Sequence, residues 1–147
     1  MAGTVTLHRV INAPPERVYK AFVQAGAFAK WLPPNGFFAT VHAMDAKVGG
    51  TYKMSFTNLT TGNGHSFGGK YVELVPGQKI KYTSKFDDPN MPGEMQNTIT
   101  LTKSIAGTDL KVIQEGIPDM IPVDMCYLGW QDSLTQLIAL VTPEINQ

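Results

Sequence analysis

Between residues 37 and 118 the chain runs almost entirely on period two, and no other feature limits its fold so strongly. Six short segments alternate apolar with polar residues and are rich in β-branched and aromatic types, each bounded by Gly, Pro, Asn or Asp. They are "FFATVHAM", "GGTYKMSFTNL", "SFGGKYVELV", "KIKYTSKF", "MQNTITLTKSI" and "LKVIQEGI". Tyr52, Met54 and Phe56 share one face against Lys53, Ser55 and Thr57, while Ile80, Tyr82 and Phe86 oppose Lys79, Lys81 and Lys85. Lysine at alternate positions places one face of the resulting sheet in water, so the other face needs a cover.

The flanks supply it. "TVTLHRVI" reads as an opening strand, making seven in all. In "NAPPERVYKAFVQ", Asn12 can cap a helix whose first turn takes Pro14 and Pro15 and whose apolar face holds Val18, Phe22 and Val23. A second short helix is predicted through "GAFAKWL", stopped by Pro33 and Pro34. Pro122 opens the longest helix, which continues through "YLGWQDSLTQLIALV". Its helical spacing turns Trp130, Ser133, Leu134, Leu137 and Val141 toward the sheet and Asp132 and Gln136 toward water. Gly129 is a defect costing about 1 kcal/mol in a helix interior, and is expected to let a strand or short helix approach closely. The order strand, two short helices, six strands, long helix is α+β. A curved seven-stranded antiparallel sheet wrapped around a long C-terminal helix, with two short helices between strands 1 and 2, leaves room between sheet and helix.

Charge and cysteine usage narrow the function classes. The 147 residues carry 12 basic and 12 acidic side chains with no like-charge run, so neither nucleic-acid binding nor membrane insertion is expected. One cysteine, Cys126, permits no internal disulfide and fits a reducing, cytoplasmic location. No linker or repeat divides the chain, so residues 1–147 are read as one domain.

No chemical motif stands out. His8, His42 and His65 fall on separate strands without ligand spacing, and no metal or cofactor is expected. There is no GxSxG elbow, GxGxxG turn or phosphate loop; Gly68 and Gly69 are read as bending a strand. Of the acids Glu73, Glu94, Glu115, Asp124 and Asp132, parity turns Glu115 away from the interior in favour of Gln114, and no catalytic residue is assigned. "DDPNMPGEM" is read as a solvated connection. The aromatic and methionine residues are the informative set, since adaptable apolar side chains with a few polar handles suit a ligand cavity. Trp31, Phe38, Met54, Phe56, Tyr71, Tyr82, Met95, Gln114 and Trp130 are placed on its wall.

"INAPPERVYKAFVQAGAFAKWLPP", "VGGTYKMSF", "GGKYVELVPGQKIKYTSKF", "TITLTKSIAGTDLKVIQEGIP" and "GWQDSLTQLIALV" occur in the order found in the SRPBCC superfamily. The chain resembles that superfamily, which has the helix-grip fold of START domains, polyketide cyclases and the birch-pollen allergen. Within it the chain looks like the branch named for the activator of the heat-shock-protein ATPase. The resemblance implies a cavity that takes a small hydrophobic or amphipathic molecule. It leaves as alternatives a cyclase- or aromatase-like enzyme using the same cavity and a chaperone-directed or stress-response module. The 147 residues leave no separate N-terminal domain of the kind that grips the chaperone, so ligand binding is the expectation preferred over chaperone activation. Homodimerisation stays open.

Overall fold

The computed structural model describes residues 3–146; Met1, Ala2 and Gln147, the ends of the expected domain, lie outside them. The elements are β1 (Gly3–Ile11), α1 (Pro15–Val23), α2 (Ala25–Trp31), β2 (Phe37–Met44), β3 (Thr51–Asn58), β4 (Gly64–Val75), β5 (Lys79–Phe86), β6 (Met95–Ser104), β7 (Gly107–Ile117) and α3 (Val123–Val141). Strands β2 to β7 form a meander, and β1 returns to pair with β7, giving one antiparallel sheet in the order β1-β7-β6-β5-β4-β3-β2.

Outside β2 the alternation read from sequence is the alternation seen. Leu7, Met54, Ile80, Ile99, Leu110 and Val112 are buried on the inner face, and Lys111 and Glu115 are exposed on the outer one. On α3, Trp130, Ser133, Leu134, Leu137 and Val141 are buried, as their spacing requires. This helix lies against β1, α1 and α2.

Two local details depart from the sequence reading. Asn12 does not cap α1; Pro14 holds the N-cap position with no side-chain cap, because Pro15 starts the helix two residues later than the cap assignment requires. β7 begins at Gly107, three residues before the segment "LKVIQEGI" read as the last strand, so the connection after β6 is correspondingly short.

The curvature has an identifiable cause. A Cβ on Gly69 would stand 1.9 Å from the Thr83 carbonyl oxygen, so β4 can press against β5 there only with glycine. Beside it the Lys70 N–H donates to Thr83 Oγ1 at 3.0 Å, and the β4–β5 register shifts between Tyr71 and Glu73. A bulge of this kind strengthens local twist and folds the β2–β4 half of the sheet inward.

α1 and α2 close one end. Trp31 is fully buried, packs edge-on against Phe22 and Phe28 with ring centroids at 4.8 and 5.4 Å, and donates its indole N–H to the Ala21 carbonyl at 2.8 Å. That bond satisfies one of the carbonyls that every helix leaves unpaired in its last turn. Phe28 extends the cluster to Tyr52 and Tyr82 at 6.4 and 6.1 Å, joining the short helices to the middle of the sheet.

Candidate functional site: an aromatic cavity beneath the terminal helix

Because α3 spans the mouth of a curved sheet without filling it, a cavity of about 330 Å³ remains between them. Its walls come from α3 (Met125, Cys126, Gly129, Trp130, Ser133), the α2–β2 connection (Leu32, Pro34) and the inner face of β2 to β7. Toward solvent stand Phe37, Phe56, Phe86 and His65. The imidazole lies 6.4, 5.8, 6.3 and 5.5 Å from the rings of Phe37, Phe56, Phe67 and Phe86. Partial burial among them lowers the His65 pKa below its ordinary 6.5, because the apolar rings replace water on one side of an imidazole whose other side stays exposed. At the opposite end the wall becomes polar.

That polar end is a directed chain of hydrogen bonds. Trp130 Nε1 donates to Gln114 Oε1 at 3.1 Å, Gln114 Nε2 donates to Asn97 Oδ1 at 2.8 Å, and Asn97 Nδ2 donates to Ser84 Oγ at 3.1 Å and to the Tyr82 carbonyl at 3.3 Å. An indole only donates and a carbonyl only accepts, so the two ends orient both amides without ambiguity. The sheet register builds this row, since Tyr82 pairs with Asn97 and Asn97 with Gln114 across β5, β6 and β7. Ser84 follows Tyr82 by two residues and so lies on the same face.

Few ionisable groups reach the cavity. Among the described residues no Asp or Glu lines it; the titratable lining groups are His65, Lys85, Cys126, Tyr52 and Tyr82. Burial pushes the Tyr52 and Tyr82 hydroxyls up, with the neighbouring tyrosines adding a smaller push in the same direction. Burial and then the Asp124 carboxylate push the Cys126 thiol up, keeping it protonated. A carboxylate-driven proton transfer therefore has no acid or base in this wall.

Of the nine residues placed on the wall from sequence, Phe56, Tyr82, Met95, Gln114 and Trp130 line the cavity. The other four do not. Phe38 is 48% exposed on the outer face, and Phe37 takes the inward position, because a one-residue slip at the start of an edge strand reverses every side chain. Met54 and Trp31 are buried in the packed core behind the cavity. Tyr71 packs between Tyr52 and Tyr82, with ring centroids at 5.8 and 6.3 Å, and its hydroxyl, pushed up to about 12 by burial, finds no partner among the described residues. Ser84, Asn97 and His65 went unassigned in sequence; alternation would have placed His65 and Phe67 on one face, but a polar residue at an inward position reads as a surface residue until its partners are known.

Gly129 corrects a second expectation. Nothing lies within 4 Å of the position its Cβ would occupy, so neither strand nor helix approaches it; it borders the cavity instead. Gln136 also departs from the water-facing reading, while Asp132 keeps it with an exposed bond. The Gln136 amide donates to the Trp31 and Pro33 carbonyls at 3.2 and 2.6 Å, Ser133 Oγ donates to the Leu32 carbonyl at 2.5 Å, and Asp132 Oδ2 accepts the Asn35 N–H at 3.4 Å. Side chains of α3 thus cap the C-terminal end of α2. Gln136 differs from its sequence reading because that end of α2 runs along a flank of α3 which a helical wheel leaves open.

The class defined by this arrangement is a helix-grip α+β domain with an internal cavity. Residues 12–142 match the family described as Activator of Hsp90 ATPase homolog 1-like protein, and the chain belongs to that family. A crystal structure of a protein from Chromobacterium violaceum is similar, with 58% identity, 96% of this chain and 98% of that chain covered, and a TM-score of 0.94. Structures from Rhodobacter sphaeroides (17% identity, 95% of each chain, TM-score 0.81) and Mycobacterium smegmatis (18% identity, 97% of this chain and 93% of that one, TM-score 0.79) share the fold. No functionally curated protein matches the chain. Among the described residues no helix is long and apolar enough to cross a membrane.

Proposed function

We propose that this protein binds a small hydrophobic or amphipathic molecule in the cavity between the sheet and α3. The observation that carries the reading is the combination of an aromatic cavity of about 330 Å³ with one polar row at its inner end. That volume lies at the lower end of the range that holds small-molecule ligands, and a mostly apolar wall with a few fixed polar groups is their usual setting. An apolar core closed for stability alone would be packed to crystal-like density rather than left open.

Native mass spectrometry of the protein purified from its own host tests this directly. The expected outcome is a bound mass of a few hundred daltons that is lost on denaturation, accompanied by saturable thermal stabilisation when the molecule is returned to the stripped protein. A stripped protein that no apolar small molecule stabilises would sink the reading. The family's description supports a second reading, stimulation of an Hsp90-type ATPase. The exposed Val123, Met125 and Leu128 on the first turns of α3 offer it an apolar surface. An ATPase assay with added protein decides that case, and a rate unchanged at saturating protein removes it.

A further inference from the structure

The hydrogen bonds at the inner end of the cavity have a direction, and direction leaves a remainder. Each link passes a proton donor from Trp130 through Gln114 and Asn97 to Ser84, so the Ser84 oxygen ends the chain as an acceptor. Its own proton has no acceptor among the described residues. The Tyr82 hydroxyl and the second hydrogen of Gln114 Nε2 are likewise unspent. The Ser84 proton, the Tyr82 hydroxyl proton and this amide hydrogen are three donors still to be matched at the inner end, and an acceptor atom on a bound molecule is what would match them. These groups are well inside: Ser84 and Gln114 are each 8% exposed, whereas Met125 at the rim is 64% exposed.

Charge and shape narrow the choice further. No carboxylate lines the cavity among the described residues, and Lys85 and His65 are exposed at its outer end, so no buried countercharge compensates a desolvated ion. The flat surfaces of Phe67, Tyr52, Tyr82 and Trp130 favour a flat ring system lying among them.

Resting on the ligand-binding reading above, we infer that the cavity selects uncharged, flat aromatic molecules carrying a ring carbonyl or ether oxygen that accepts the Ser84 hydroxyl proton at its inner end. The carbonyl is held and not transformed; no covalent step is involved.

Calorimetric titration of the full chain with four bicyclic probes tests this: 1-tetralone, which has the carbonyl; tetralin, which lacks it; 1-naphthoate, an anion; and 1-aminotetralin, a cation at neutral pH. The expected order is 1-tetralone tightest, about fivefold to tenfold tighter than tetralin, the value of one hydrogen bond, with both ions weaker than tetralin. Ser84→Ala should bring 1-tetralone to within about twofold of tetralin, both measured on the variant. Ser84→Cys, which keeps the volume and weakens the donor, gives the same loss if the alanine variant does not fold. Equal binding of 1-tetralone and tetralin to the wild type overturns the selectivity and leaves the ligand-binding reading standing. Preferred binding of either ion overturns it too. Failure of all four probes to bind overturns the inference, and the ligand-binding reading is then decided by the native mass spectrometry.

Discussion

Gly129 interrupts the most regular helix of the chain, and the space in front of it explains why the interruption is tolerated. A Cβ there meets nothing within 4 Å, so replacing it by alanine introduces no clash and recovers about 1 kcal/mol of helix propensity. Gly129→Ala is expected to raise the melting temperature by about 2–4 °C, measured by differential scanning calorimetry. Gly129→Leu goes further into the same space and should keep the fold while abolishing stabilisation by 1-tetralone. The close neighbour expected from sequence would make the leucine destabilising; open space reverses the sign. Unchanged ligand stabilisation in the leucine variant would show that the cavity beside Gly129 is not the binding site.

At the scale of elements, α3 is tied to α2 by polar caps as well as by its apolar face. Ser133 and Gln136 satisfy three carbonyls at the end of α2, and Trp31 satisfies one at the end of α1. Gln136→Ala removes two of those bonds at a partly buried site and should cost about 1–2 kcal/mol, seen as a lower urea midpoint with an unchanged slope. A midpoint unaffected by the change would show that water replaces the amide there without loss. The apolar register of α3 was readable from its sequence because core-facing residues repeat every three or four positions. The role of Gln136 was not, because the segment that recruits it is brought over it only by the complete fold.

For the molecule as a whole, the mouth of the cavity couples stability to pH through His65. Its pKa in the folded protein is below the ordinary 6.5, so the unfolded chain binds more protons as pH falls below that value. The contribution is fully present above pH 6.5 and is lost as pH drops through the lowered folded value. The wild type should therefore lose melting temperature as pH falls below about 6.5, and His65→Phe should flatten that limb. A limb equally steep in the variant would place the titration elsewhere.

The sequence by itself determined the elements, their order and the inward face of most strands and of α3, because period two and period 3.6 are local properties that a buried face imposes on consecutive residues. It also determined which strand side Gln114 occupies, through Leu110 and Val112 on the same face. Only the tertiary structure decided where packing stops and open space begins. Met54 and Phe56 lie on one strand face and look alike in sequence, yet Met54 is sealed in the core while Phe56 borders the cavity. Their difference depends on how far Gly69 lets the sheet curl and how high the caps on α2 hold the helix above it. Ser84, Asn97 and Gln114 become a polar row only when three strands set them side by side, an arrangement that distance along the chain does not encode.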